Sequence, residues 1–236
     1  MAPAGPERPR EARERLIVAL DYPSGGEALA LVDRLGEEVI WYKVGMELFY
    51  AEGAPLVHAL TARGKRLFLD LKLHDIPNTM SSALRSLSRL KVGLTTVHVP
   101  AGREALLAVA AVARSLPPGE APGLLGVTRL TSLPAPDPER PWDDVVSLAG
   151  LAAACGLYGW IAPAPAARPL RAAHGAGPAL ICPGIRLPEN DRADQVAVGT
   201  PEDAREGGAD WIVVGRPITQ AVDPTAAARD VIRRLA

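Results

Sequence analysis

Five charged side chains close or follow apolar runs early in this chain: Asp21 after LIVAL, Lys43 closing VIWYK, Asp70 closing RLFLD, then Lys72 and Asp75. Two are lysines, in a chain with only four of them (Lys43, Lys65, Lys72, Lys91) among 26 basic residues. Lysine differs from arginine in being able to give up a proton, so a lysine in an arginine-rich chain points to a proton donor. Alternate residues of a strand share a face, which aims Asp70 and Lys72 the same way. The plainer reading is that such charges are merely solvated where the chain leaves a sheet. Four of them on three successive strands argue against it.

The elements that must position these residues repeat along the chain. Short apolar runs at 16–20, 39–43, 66–70, 94–98, 124–128, 158–162, 179–182 and 210–214 read as strands. Helical spacing follows most of them, at 26–35, 47–62, 79–90, 103–115, 143–154 and 166–174, and a last helix spans 224–235. Eight strands alternating with helices over 236 residues predict a single-domain α/β chain, a (β/α)8 TIM barrel over 15–236. A doubly wound open sheet is the alternative. The first 14 residues, with charges of both signs and no apolar core, read as a flexible arm and not as a secretory signal. In such a barrel the active site lies at the C-terminal ends of the strands, where these charges stand.

Composition narrows the function. Net charge is −1, so no overall field draws in nucleic acid or an anionic membrane. No apolar run is long enough to suggest a membrane span. Two cysteines, Cys155 and Cys182, make no disulfide framework or zinc site, and a cytoplasmic setting is the expectation. Dinucleotide, P-loop and zinc-protease strings are missing. The four tryptophans and both cysteines read as core, and His58, His74, His98 and His174 carry no assigned role.

The segment DLKLHDIPNT, Asp70 to Thr79, resembles the signature of the orotidine 5′-phosphate decarboxylases. VALD (18–21), YKVG (42–45), LTS (130–132), PGIR (183–186), Asp194–Gln195 and VVGRPIT (213–219) extend the resemblance from about Leu16 onward. It implies decarboxylation of orotidine 5′-phosphate to UMP in pyrimidine biosynthesis, without metal or organic cofactor, by a homodimer. Lys72 would donate the proton, flanked by Asp70 and Lys43, with Asp75 supplied by the neighbouring subunit. Asp21 would hold ribose hydroxyls, Thr79 would reach across the interface, and Thr131 and Ser132 would lie by the pyrimidine. Val196 and Ala197 depart from the basic residues that many bacterial relatives carry after the Gln.

The chemistry agrees with these residue types. Loss of CO2 leaves a carbanion at ring carbon 6 with no adjacent electron sink, so the protein must supply the stabilisation. A fixed ammonium stabilises the developing charge and then protonates the carbon, which an arginine could not do. An adjacent carboxylate favours the ammonium form. After the eighth strand, Gly215 and Arg216 fall where barrels build phosphate sites, and Arg186 and Gln195 would join them from a lid-like loop after the seventh. The closest rival is a metal-dependent sugar-phosphate decarboxylase or aldolase of the same barrel group, whose second strand typically ends in a glutamate where this chain has Lys43. A catalytically silent phosphate-binding barrel is the other alternative.

Overall fold

The protein is described by a computed structural model over residues 5–117, 119–187 and 198–236. Eight parallel strands close into a barrel in sequence order, with β1 hydrogen-bonded to both β2 and β8. They are β1 (Leu16–Leu20), β2 (Trp41–Gly45), β3 (Arg66–Leu73), β4 (Leu94–His98), β5 (Gly123–Val127), β6 (Gly159–Ile161), β7 (Ala179–Cys182) and β8 (Trp211–Val214). Closure excludes the open sheet. Around it run α1 (Gly25–Leu35), α2 (Met46–Ala62), α3 (Pro77–Ser88), α4 (Arg103–Ser115), α5 (Asp143–Ala154), α6 (Ala167–His174), α7 (Pro201–Glu206), α8 (Arg216–Thr219) and α9 (Pro224–Leu235).

The strands read as continuous apolar runs because both of their faces are covered. One set of alternating residues, including Leu16, Val18, Leu20, Tyr42, Val44 and Leu69, packs under the helices. The other set, including Ile17, Ala19, Trp41, Phe68, Leu94, Leu125, Ile181, Trp211 and Val213, fills the barrel interior. Following the inward set toward the C-terminal ends gives Asp21, Lys43, Asp70, Thr96, Val127, Ile161, Pro183 and Gly215. The two-residue period therefore delivers the charged residues to the mouth.

Several local expectations change. Lys43 does not end β2 but sits at its centre, two residues before Gly45. The helix expected over 47–62 breaks at Gly53, whose φ of 63° precedes Pro55. Trp142 is only half-buried, at the N-cap of α5, with the Arg129 guanidinium 5.1 Å over its ring; the other three tryptophans are buried. Both cysteines are buried, and burial pushes the Cys182 thiol up to about 12.

Residues 5–14 lie across the N-terminal floor of the barrel. The Tyr158 hydroxyl donates to the Pro6 carbonyl at 2.7 Å, and Arg8 pairs with Asp210 at 3.1 Å and bonds the Ala176 and Gly177 carbonyls. The Glu14 carboxylate accepts the Arg10 and Glu11 N–H groups, which hold it below the usual carboxylate range. Beneath the arm, Trp41 and Trp211 meet edge to face at 6.0 Å.

Candidate active site

A cavity of about 430 Å³ opens at the barrel mouth, within the range of small-molecule sites. On the β1–β3 side it is lined by Asp21, Lys43, Asp70 and Lys72, and elsewhere by Thr131, Arg186, Gly215 and Arg216.

The charged residues form one chain of alternating sign. Lys72 Nζ lies 2.8 Å from Asp70 Oδ2, Lys43 Nζ lies 3.9 Å from that same oxygen, and Lys43 Nζ lies 3.0 Å from Asp21 Oδ1. Asp70 is 8% exposed, and a carboxylate so far from water requires partners. Its second oxygen accepts the Thr96 hydroxyl at 2.9 Å. A Cβ on Gly45 would stand 3.2 Å from Lys43 Nζ and 3.6 Å from Asp21 Oδ1, so the glycine leaves space around this ion pair.

Asp70 and Lys72 meet for a reason that strand alternation does not supply. β3 pairs Leu69 with Thr95 and next Leu73 with Val97, so three β3 residues oppose Thr96 alone. Within this bulge Lys72 has φ of 50°, in the left-handed region that a side-chain-bearing residue seldom occupies. Such a conformation at a functional group has to be held by its surroundings.

Arg186 is 9% exposed, and its N–H donates to the Gly199 carbonyl across the base of the β7–α7 connection. Gly215 and Arg216 follow β8 directly. Thr131 lines the cavity, whereas Ser132 beside it is exposed and does not. Asp75 and Thr79 are also exposed and outside the cavity wall; the Asp75 carboxylate accepts the Ile76 N–H at 2.6 Å. Gln195, Val196 and Ala197 lie outside the described residues.

Two contributors escaped the sequence reading. Thr96 follows Thr95 in the buried strand LTTVH, and could have been noticed as the hydroxyl on the face that points into the barrel. Arg129 lines the cavity while its guanidinium bonds Asp144 at 2.8 Å and covers Trp142, bracing the connection that carries Thr131 and Ser132. Nearby, His98 stacks on His74 at 5.4 Å; burial, then the His74 and Lys72 charges, push its imidazole below the ordinary histidine range.

A closed parallel barrel with interleaved ammonium and carboxylate groups at its C-terminal mouth defines a TIM-barrel enzyme site. Residues 14–231 match the model of the orotidine 5′-phosphate decarboxylase / HUMPS family, and the chain belongs to that family. Orotidine 5′-phosphate decarboxylase of Sodalis glossinidius is 42% identical over 235 residues, covering 96% of this chain and 92% of that one. The enzyme of the same name from Alkalilimnicola ehrlichii is 45% identical over 231 residues, covering 95% and 97%. Among solved structures, orotidine 5′-phosphate decarboxylase from Lactobacillus acidophilus superposes with a TM-score of 0.80 at 34% identity, covering 97% of this chain and 99% of that one. Among the described residues, no helix is long and apolar enough to cross a membrane.

Proposed function

We propose that this chain is a carboxy-lyase that decarboxylates orotidine 5′-phosphate to UMP in pyrimidine biosynthesis, with Lys72 as the proton donor. The observation that carries the reading is the Asp21–Lys43–Asp70–Lys72 chain of charges along one wall of a cavity that Arg186 and Arg216 also line. The bond from carbon 6 to the carboxylate breaks, CO2 leaves, and the electron pair stays on carbon 6. The Lys72 ammonium stabilises that charge in place and delivers one of its protons to the carbon, then regains a proton from water.

Asp70 aims the ammonium through the 2.8 Å ion pair. Lys43 bridges Asp70 to Asp21, which takes the ribose hydroxyls. Thr131, with Ser132 on the same connection, serves the pyrimidine. The phosphate lies on the Gly215 amide and the Arg216 and Arg186 guanidiniums, and Gln195 belongs to the same grip. Binding energy gathered there organises the reacting end.

The metal-dependent rival is disfavoured by the donor set. Lys43 stands within 4 Å of both Asp21 and Asp70, so a divalent cation at these carboxylates would face an ammonium. This arrangement of charges supports a reaction that uses no metal at these carboxylates.

The functional unit is a homodimer, in which Asp75 and Thr79 complete the neighbour's site. Both face solvent in a single chain, and Ile76 between them is 65% exposed. An Ile76→Arg variant should sediment as a monomer and lose turnover; an active monomer would remove the shared-site assignment. The enzyme works in the cytoplasm on a small nucleotide, apart from membrane and nucleic acid.

The deciding test follows the ultraviolet absorbance of orotidine 5′-phosphate with wild-type protein and Lys72→Ala, with and without EDTA. EDTA-insensitive conversion to UMP that the variant loses is the expected result. A folded wild-type protein without conversion, or full activity in Lys72→Ala, would overturn the reading.

A further inference from the structure

We propose that Thr96 is a positioning residue for the decarboxylation, its hydroxyl setting both the orientation of Asp70 and the backbone conformation that presents Lys72. This deepens the Lys72 mechanism above and rests on it.

Thr96 is fully buried and does not line the cavity, so it stands behind the reacting groups. It is the β4 residue that faces the bulge, where Asp70, Leu71 and Lys72 lie between the Leu69–Thr95 and Leu73–Val97 pairs. A regular parallel ladder cannot serve three residues with one, and the Thr96 side chain takes over part of its work. Its Oγ1 accepts the Lys72 N–H at 2.9 Å and donates to Asp70 Oδ1 at 2.9 Å. One hydroxyl can do both, because it carries one proton and two lone pairs.

Its two bonds act on different variables. The bond to Asp70 fixes one carboxylate oxygen, leaving the other directed at Lys72 Nζ, 2.8 Å away. The bond to the Lys72 N–H satisfies a donor that the bulge removes from the ladder, and so holds φ at 50°. Without it the bulge is free to relax toward ordinary extended backbone, which alternates side chains and alters where the ammonium points. Neighbouring Thr95 does a simpler job, donating to the Leu69 carbonyl at the last regular pair before the bulge.

The test compares Thr96→Val, which keeps the shape and removes the hydroxyl, with Thr96→Ser, which keeps the hydroxyl, and with Lys72→Ala. Thr96→Val should lower kcat by about 10–100-fold, as expected for losing a hydrogen bond to a charged group and the restraint on a second. KM for orotidine 5′-phosphate and the affinity for UMP should stay within about threefold, and Thr96→Ser should recover most of kcat. Equal kcat loss in the serine variant, parallel loss of UMP affinity, or unchanged kcat in Thr96→Val would each overturn the proposal. If Thr96→Val does not fold, hydrogen exchange in the wild-type protein decides: a protected Lys72 amide supports the bond, and an amide exchanging at the free-chain rate refutes it. Full activity in Lys72→Ala would remove the underlying mechanism; inactive Lys72→Ala beside unimpaired Thr96→Val would remove the role of Thr96 alone.

Discussion

At the mouth of the barrel, ammonium and carboxylate groups from β2, β3 and the end of β1 each stand within 4 Å of the next in line, and one residue has a left-handed backbone. At the floor, the inward positions of β2 and β8 are tryptophans packed edge to face, and the N-terminal arm lies over them. The same two-residue period built both ends, apart from the β3 bulge that brings Lys72 to the mouth. Burying charge costs free energy even when it is paired, so the mouth is organised for chemistry and gains little stability from its ion pairs. The floor carries no reacting group, and its aromatic packing, arm contacts and Asp210 network supply the stability that the mouth lacks.

The largest break in this comparison should come from Lys72. Lys72→Ala should reduce turnover by about 10²–10⁴-fold or more, the range assigned to a positioned proton donor. Lys72→Gly should be equally inactive yet about 1 kcal/mol more stable than the alanine variant, because glycine accepts positive φ without a Cβ penalty. Chemical denaturation of the pair measures the backbone strain separately from the chemistry.

Arg216→Ala tests the phosphate grip on the other side of the mouth. It should raise KM for the nucleotide by about 10²-fold while slowing a phosphate-free nucleoside much less, as expected when a charged contact to phosphate is lost. Equal losses on both substrates would remove the assignment.

Asp210 offers the matching experiment at the floor. Its carboxylate accepts from Arg8, Arg171 and the Leu180 N–H, so Asp210→Ala leaves several donors unpaired. The variant should lose about 2 kcal/mol, or about 4–8 °C in Tm, with kcat within twofold of wild type. A large fall in kcat at temperatures where the variant stays folded would show that the two ends are coupled.

The smallest effect belongs to His98. Its imidazole is held below the ordinary range in the folded protein, chiefly by burial, so the unfolded chain takes up the proton at higher pH. The corresponding stability is complete above the unfolded value near 6.5 and declines as pH falls below it toward the folded value. Urea midpoints at pH 7.5 and pH 5.5 should therefore differ less in His98→Gln than in wild type.

How much of this was legible in the sequence varied with distance along the chain. β1, β4, β7, α4, α5 and α9 have the expected bounds, because an apolar run or helical period with clear ends is local information. α7 and α8 were missed, being six and four residues long, although Thr200, Pro201 and Asp203 spell a capping box with proline at its start. Lys72 was placed at the mouth by an argument about alternation, whereas the bulge beside β4 puts it there. The docking of the arm depends on Tyr158 and Asp210, more than 140 residues away, and no local pattern announces such a contact. Asp75 and Thr79 were read from a motif and not from geometry, since in the single chain both face solvent outside the cavity wall.

The Arg15 guanidinium, just after the arm, donates to the Leu235 carbonyl at 3.1 Å and to the Ala209 carbonyl at 2.8 Å, beside the seam where β1 meets β8. The polypeptide thus enters and leaves the barrel at neighbouring points, and strand order is a cycle whose starting point is a matter of genetics. A circular permutant that replaces the arm with a short linker from Leu235 to Arg15 and opens at the exposed Gly64 would keep all eight strand pairings. It would place β3, with Asp70 and Lys72, at the beginning of translation and leave Asp21 and Lys43 to be made last.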